Sequence, residues 1–391
     1  MKKYLIVGNG VAGTTAAENI RRNDPNGEIT IVTDEDLPFY YRVRLPDYLG
    51  GGVAESELVA KKDTWYEEKN ISLQLDTAIT GADPDEKNIH TADGAALAYD
   101  KLLLANGSHP FIPPINGSSI KGVFTIHTVN DVRQISKAAE NISSVVLIGG
   151  GLLGLEAANA LHKLGKKITV IEFFPRLLPR QLDNEGAARL QHFFENMDFA
   201  FRLGTSTRKI IGDERVEGVL LDNDDFVPTE MVIISAGVRP SLELARMLDV
   251  KTDKGIIVNE YMQTSQPSIY AAGDVIEFEG KTYGIWPAAM EQGKIAGINI
   301  SGGKVPYAGT TLSNILKVAG VDLASAGEID EDNRYESKVV ASENIYKKAV
   351  IDNRKVIGCI MLGDRTNFNR INKAISTGEN ILNDLDALLN G

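Results

Sequence analysis

Tyr4-Leu5-Ile6-Val7-Gly8-Asn9-Gly10-Val11-Ala12-Gly13 joins a short apolar run to three glycines in the spacing Gly-x-Gly-x-x-Gly. The segment from Thr14 to Arg22 then reads as a helix closed by the polar stretch Asn23 to Gly27, and Ile29 to Val32 gives a second apolar strand. Strand, glycine turn, helix and parallel strand make one supersecondary unit. In such a turn Gly8 permits the tight reversal, Gly10 lets the backbone approach a pyrophosphate, and Gly13 permits close packing of the helix. The helix N-terminus adds oriented N–H groups for two phosphates. The expected ligand is a dinucleotide.

The arrangement returns further along. Val145 to Ile148 lead into Gly149, Gly151 and Gly154, with an extra Gly150. A helix follows from Leu155 to about Leu164, with Gly165 as its stop, and Ile168 to Ile171 form the next strand. Between the two units, Lys101 to Leu104 reads as a buried strand followed by Ala105, Asn106 and Gly107, and Pro110 to Pro114 as a crossing between domains. Val232 to Ile234, with Ser235, Ala236, Gly237, Arg239 and Pro240 behind them, look like the way back, so the second module is inserted in the first. Ile269 to Ala271 form a further strand ending at Gly273 and Asp274. Past Gly302 and Gly303 the pattern changes. Tyr346 to Ile351 and Lys355 to Leu362 flank a turn at Asp352 and Asn353 as in an antiparallel hairpin, and a helical tail starts near Asn369. The expected fold is α/β: a Rossmann-like domain at 1–113 and 241–304, an inserted Rossmann-like domain at 114–240, and a small α+β C-terminal domain at 305–391.

With 391 residues, 43% of them hydrophobic, the chain has material for two or three domains. A formal charge of −12 without a dense basic block argues against nucleic acid as a partner. No apolar run reaches eighteen residues and no signal-peptide pattern precedes the first strand, so a cytoplasmic protein without membrane insertion is expected. Cys359 is the single cysteine, which excludes an intrachain disulfide and an internal two-thiol redox centre. The five histidines show no metal-ligand spacing, so no metal is expected.

Two dinucleotide modules suit a redox enzyme with two cofactors, because hydride transfer needs two rings held in contact. Two adenine nucleotides without redox chemistry are the alternative. Glu172 closes the strand after the second turn, in register to accept hydrogen bonds from an adenosine ribose 2′-hydroxyl. A 2′-phosphate would be repelled there and would meet no positive charge at Phe173 or Phe174, so NADH is expected. Arg176 is the nearby cation that could swing toward such a phosphate. In the first module Asp34, with Glu35 beside it, is favoured as the ribose acid, although Thr33 directly follows the strand.

In their order along the chain, Gly8 to Gly13, Ala105 to Gly107, Gly149 to Gly154 with Glu156, Ala236 to Gly237, and Ala271 to Asp274 resemble the two-dinucleotide-domain pyridine nucleotide-disulfide oxidoreductase family, and within it the branch of NADH:rubredoxin oxidoreductases. The resemblance covers nearly the whole chain. It implies FAD in the first module and NADH in the inserted one, with cofactor contacts from Ala105, Gly107, Glu156 and Gly237 besides the glycine turns. It also implies that Gly273 and Asp274 flank the ribityl side of FAD, that Trp286 to Ala289 start a helix approaching the flavin ring, and that Arg42 and Arg44 belong to a flavin-facing loop.

The family's disulfide-reducing branches carry a cysteine pair near the first module, and its peroxide, oxygen and coenzyme A disulfide branches carry one cysteine there. Pro38 to Asp47 hold none. Where a related branch has a lysine that pairs with the position of Glu156, this chain has Asp47. No side-chain nucleophile is expected, hence no catalytic residue in that sense. The implied function is hydride transfer from NADH to FAD, then delivery of single electrons to rubredoxin or a similar small carrier. A ferredoxin-type reductase, an NADH oxidase and a noncatalytic electron-transfer subunit remain open.

Overall fold

Strand Lys3–Val7 is the middle of a five-stranded parallel sheet in the order Ile269–Ala271, Lys101–Leu104, Lys3–Val7, Glu28–Val32, Ile71–Gln74. Strands covered on both faces are apolar throughout rather than alternating, and Leu102, Leu103 and Leu104 are all fully buried. This sheet belongs to a unit of residues 1–42, 54–109 and 238–310, while residues 43–53, 110–237 and 311–391 form a second unit. The structure, a computed structural model, describes residues 1–391 apart from the side chains of residues 316–318. Among the described residues no helix is long and apolar enough to cross a membrane.

In the first unit, helix Val11–Asn23 starts three residues before the expected Thr14. Gly10 is its N-cap in an extended conformation, and the Thr14 N–H already donates to the Gly10 carbonyl at 3.0 Å. The helical pattern is hidden there by glycine and alanine, which carry no periodic apolar signal. This helix packs on Trp286–Ile300. A side chain at Gly293 or Gly297 would collide with the backbone of Ala12 or Ala16, so small residues set the close approach of the pair.

The second unit repeats the plan, with a parallel sheet in the order Ala200–Leu203, Lys167–Glu172, Ser144–Ile148, Met231–Ile234, Val123–Thr125. Helix Leu152–Lys163 follows its glycine turn, again capped inside the turn, by Gly151. Helix Val129–Ala139 opens on a capping box of Thr128 and Asp131. The same unit contains an antiparallel sheet in the order Ser313–Val318, Val321–Gly327, Lys355–Leu362, Tyr346–Asp352, Glu336–Ala341, backed by helix Phe368–Thr377. The expected hairpin is its centre, with Asn353 and Arg354 both at positive φ in the turn.

Lys347 and Lys348, on that hairpin, are almost wholly buried, and each is paired. Lys347 Nζ lies 2.6 Å from an Asp364 carboxylate oxygen, and Lys348 Nζ lies 3.1 Å from Asp183 Oδ2. Asp183 also accepts the Tyr346 hydroxyl at 2.7 Å and caps helix Asn184–Glu195 by accepting the Gly186 N–H at 3.0 Å. Pairing and hydrogen bonding offset the desolvation of these charges, and the contacts of Lys348 and Tyr346 with Asp183 tie the C-terminal sheet to the segment that follows Glu172.

Candidate functional site

The two glycine turns are built alike, and each glycine can be asked what demands it. Gly8 has φ +107°, and a side chain there would run into the Ala105 carbonyl. Gly149 has φ +109° and would meet the Ser235 carbonyl in the same way. Gly13 and Gly154 are demanded by packing, since a Cβ would collide with the Gly8 carbonyl in one case and stand 2.9 Å from Ser235 Cβ in the other. Gly10 and Gly151 differ from all of these. Their φ values of −81° and −78° suit any residue, and a Cβ at either would meet nothing within 4 Å. Nothing among the described residues requires glycine at these two helix caps. The space beside these two helix N-termini is left open, and open space at a helix N-terminus suits a phosphate-bearing ligand. The donor set fits a dinucleotide in both modules.

Around the first turn the structure gathers most of the residues expected there. Gly273, at φ +88°, is held by its N–H donating to Gln292 Oε1 at 3.0 Å, and a Cβ on it would lie 2.9 Å from Ala12 and 3.8 Å from Ala289. The Gln292 side chain is fully buried and also donates to the Tyr307 hydroxyl. Asp274 faces Ser108 Oγ at 3.4 Å. Burial pushes its carboxyl upward, opposed by the Ser108 hydrogen bond and the charge of Arg42. Arg42 pairs with Glu35, which also accepts the Tyr40 hydroxyl. Trp286, at the start of its helix, packs 5.7 Å from the rings of Phe39 and Tyr41. Asp34 is exposed on the surface beside Glu35. Gly107 takes the left-handed φ of +66° with open space at its Cα, next to Ala105, which is buried.

Three side chains here escaped the sequence reading: Asn9, Ser108 and Tyr66. Asn9 Oδ1 accepts the Tyr66 hydroxyl at 2.9 Å, and its Nδ2 is a buried donor without a partner among the described residues. The position of Asn9 between Gly8 and Gly10 was the available signal. Ser108 offered none, because its partner lies 166 residues away.

Around the second turn, Glu172 is buried and its carboxylate accepts the Gly150 N–H at 2.5 Å and the Phe174 N–H at 2.8 Å. Each oxygen keeps a further lone pair able to accept a hydrogen bond. Phe173 and Phe174 are exposed beside it. Gly237 sits at φ +95° with open space, its carbonyl accepting the Phe111 N–H. Glu156, on the second turn of its helix, is pushed up to about 7 by burial, with the nearby charge of Asp47 adding to the effect. Its carboxyl therefore changes charge near neutral pH. Arg44 lies in this unit, 4.0 Å from Asp47, whereas Arg42 lies in the first.

Cys359 is fully buried in strand Lys355–Leu362, and burial pushes its thiol up to about 12. A thiolate is therefore scarce at neutral pH. Cys359→Ser is expected to lower stability by about 1–3 kcal/mol, the cost of burying a more polar hydroxyl in an apolar core. Reduction of bound flavin by NADH and electron delivery to an acceptor should both be retained. Anaerobic stopped-flow comparison of the two half-reactions in parent and variant checks this, and loss of acceptor reduction in a folded, fully flavinated variant would point to a cysteine-dependent route.

Comparison with known proteins bears on both halves of the chain. Residues 2–293 match the family model described as pyridine nucleotide-disulphide oxidoreductase, and residues 313–379 match that of the rubredoxin NAD+ reductase C-terminal domain. The nitrite reductase [NAD(P)H] of Bacillus subtilis is 36% identical over 95% of this chain and 46% of its own length. The chain spans about half the length of the first such curated relatives. The NADH-rubredoxin oxidoreductase of Clostridium acetobutylicum is 32% identical over 99% of this chain and 98% of its own. The crystal structure of NADH:rubredoxin oxidoreductase from that organism superposes with a TM-score of 0.82 at 30% identity, covering 100% of this chain and 99% of the other. A putidaredoxin reductase in covalent complex with putidaredoxin gives a TM-score of 0.89 at 25% identity, over 98% and 95% of the two chains.

Proposed function

The chain belongs to the pyridine nucleotide-disulphide oxidoreductase family, and from that membership we propose that it is an FAD-dependent NADH oxidoreductase delivering electrons to rubredoxin or a similar small redox protein. The observation that carries the proposal is the pair of caps, Gly10 and Gly151, kept free of side chains that the protein itself would tolerate. The full burial of the single cysteine narrows the route to one without a thiol.

The chemistry supplied by bound FAD is acceptance of a hydride and release of electrons one at a time. Residues 1–113 and 241–304 hold it in this reading. The N–H groups at the start of Val11–Asn23 face the pyrophosphate, and Gln292 keeps the Gly273 turn in the shape that presents Asp274 to the ribityl chain. The N-terminus of Trp286–Ile300 lends partial positive charge to stabilise a reduced ring, and Arg42 adds to it. Residues 114–240 hold NADH, with the Gly149 to Gly154 turn on its pyrophosphate and Glu172 on its adenosine ribose. Residues 305–391 form the C-terminal domain. The similarity of residues 313–379 to a rubredoxin reductase C-terminal domain supports a protein as acceptor.

A second reading has its own support, because relatives at 36% identity include a nitrite reductase and an assimilatory nitrate reductase electron transfer subunit, each about twice as long as their match to this chain. In that reading the same flavin chemistry feeds a larger assembly. Anaerobic turnover with NADH against a panel of rubredoxin, ferredoxin and, separately, oxygen distinguishes the candidates. The proposal expects the highest kcat/KM with rubredoxin. Oxygen outcompeting every protein carrier would move the assignment to an NADH oxidase.

A further inference from the structure

Arg176 follows Glu172 by four residues and is the cation nearest in sequence to the ribose corner of the second module. The loop that carries it passes that corner. The Leu178 N–H donates to the Gly150 carbonyl at 3.3 Å, and a side chain on Gly150 would stand 2.8 Å from Leu177 Cδ2 and 3.1 Å from Glu172 Oε2. Leu178 is fully buried at φ +48°, an unfavourable conformation for leucine that persists only where the surroundings enforce it. The loop is therefore held in one shape beside Glu172.

The Arg176 side chain points elsewhere. It is nearly buried, donates from Nε to the Leu182 carbonyl at 3.4 Å and from Nη2 to the Pro179 carbonyl at 3.1 Å, and places Nη1 2.6 Å from Glu331 Oε1. Glu331 comes from the C-terminal sheet region, in a turn that is itself anchored. Its neighbour Asp330 is fully buried, accepts the Arg334 N–H at 2.6 Å, and offers its carbonyl to Lys348 Nζ at 3.2 Å, the same ammonium that grips Asp183 at the far end of the loop. The carboxylate is thus brought to Arg176 by a part of the chain with no nucleotide signature. Its charge is stabilised in return, with the Arg176 hydrogen bond holding its carboxyl below the usual range.

We propose that Glu331 is a specificity determinant of the second dinucleotide site: by holding Arg176 it keeps a guanidinium away from the ribose 2′ position, so that the site takes a 2′-hydroxyl and rejects a 2′-phosphate. The proposal rests on the reading of Glu172 as the ribose acid. Glu172 supplies the repulsion, and Glu331 withholds the charge that would compensate it.

Calorimetric titration of the full chain with ADP-ribose and with 2′-phospho-ADP-ribose tests this without reference to turnover. Glu331→Gln should bind the 2′-phosphorylated probe about tenfold more tightly than the parent does, with ADP-ribose affinity unchanged within about twofold. Arg176→Gln alone should leave the parent's discrimination as it is, because the guanidinium is already withheld, and the double variant should lose the gain. Unchanged discrimination in folded Glu331→Gln, or a gain that survives in the double variant, overturns the role of Glu331 alone. Failure of the parent to bind ADP-ribose, or binding indifferent to Glu172→Ala, overturns the reading of the site and the proposal with it.

Discussion

Gly10→Val is expected to give a folded protein that no longer retains flavin. The new side chain meets nothing of the protein within 4 Å at its Cβ, and the backbone there is extended. The fold should therefore lose only the capping preference of glycine, about 1 kcal/mol. In the proposed site the ligand would meet it fully, because the branched side chain would fill the space proposed for phosphate oxygens beside the helix N–H groups. Loss of two or three such charge-assisted contacts weakens retention by about a hundredfold or more, roughly 3 kcal/mol. Gly13→Val is the contrasting case, since its side chain would strike the Gly8 carbonyl, so that variant should fail to fold. Flavin absorbance after gel filtration, with a melting curve on the same sample, separates the two outcomes. Full flavin content in folded Gly10→Val would remove the main support for the first site.

Glu172→Ala is expected to lower the efficiency of flavin reduction by NADH by about tenfold to a hundredfold, as loss of one or two hydrogen bonds to a charged acceptor implies. Its effect on NADPH should be smaller, because the variant also removes the repulsion, so the preference between the nicotinamides narrows. Part of the loss comes from the protein side. Without the carboxylate, the Gly150 and Phe174 N–H groups lose their acceptor. The measurement is the ratio of flavin-reduction efficiencies for NADH and NADPH in parent and variant, and an unchanged ratio would count against Glu172 as the selecting residue.

The parallel strands and glycine turns were legible because their signal is local: an apolar run, a glycine where φ must be positive, a helix directly behind. The start of each first helix was misplaced by about three residues, since Val11 to Gly13 and Leu152 to Gly154 carry no polar face to mark a period. What the sequence hid are contacts between distant segments. Ser108 with Asp274, Gln292 with the Gly273 N–H, and Arg176 with Glu331 are each meetings of residues whose separation in sequence carries no period or motif. Lys347 and Lys348 are the plainest example. Two adjacent lysines carry no local signal of burial, yet both are buried against carboxylates that only the folded chain supplies. The C-terminal strands Val321–Gly327 and Glu336–Ala341 escaped notice for a related reason, their small and polar residues being buried or paired by neighbours rather than by their own alternation.

In the proposed function a pair of electrons from NADH is stored on one flavin, without a thiol relay, and then leaves singly. Anaerobic titration of the purified flavoprotein with NADH, followed by flavin absorbance, tests it most directly. Complete bleaching is expected at one equivalent of NADH per bound flavin, with no further NADH consumed until an acceptor is added. Uptake of a second equivalent, or a flavin that NADH leaves oxidised, would contradict it.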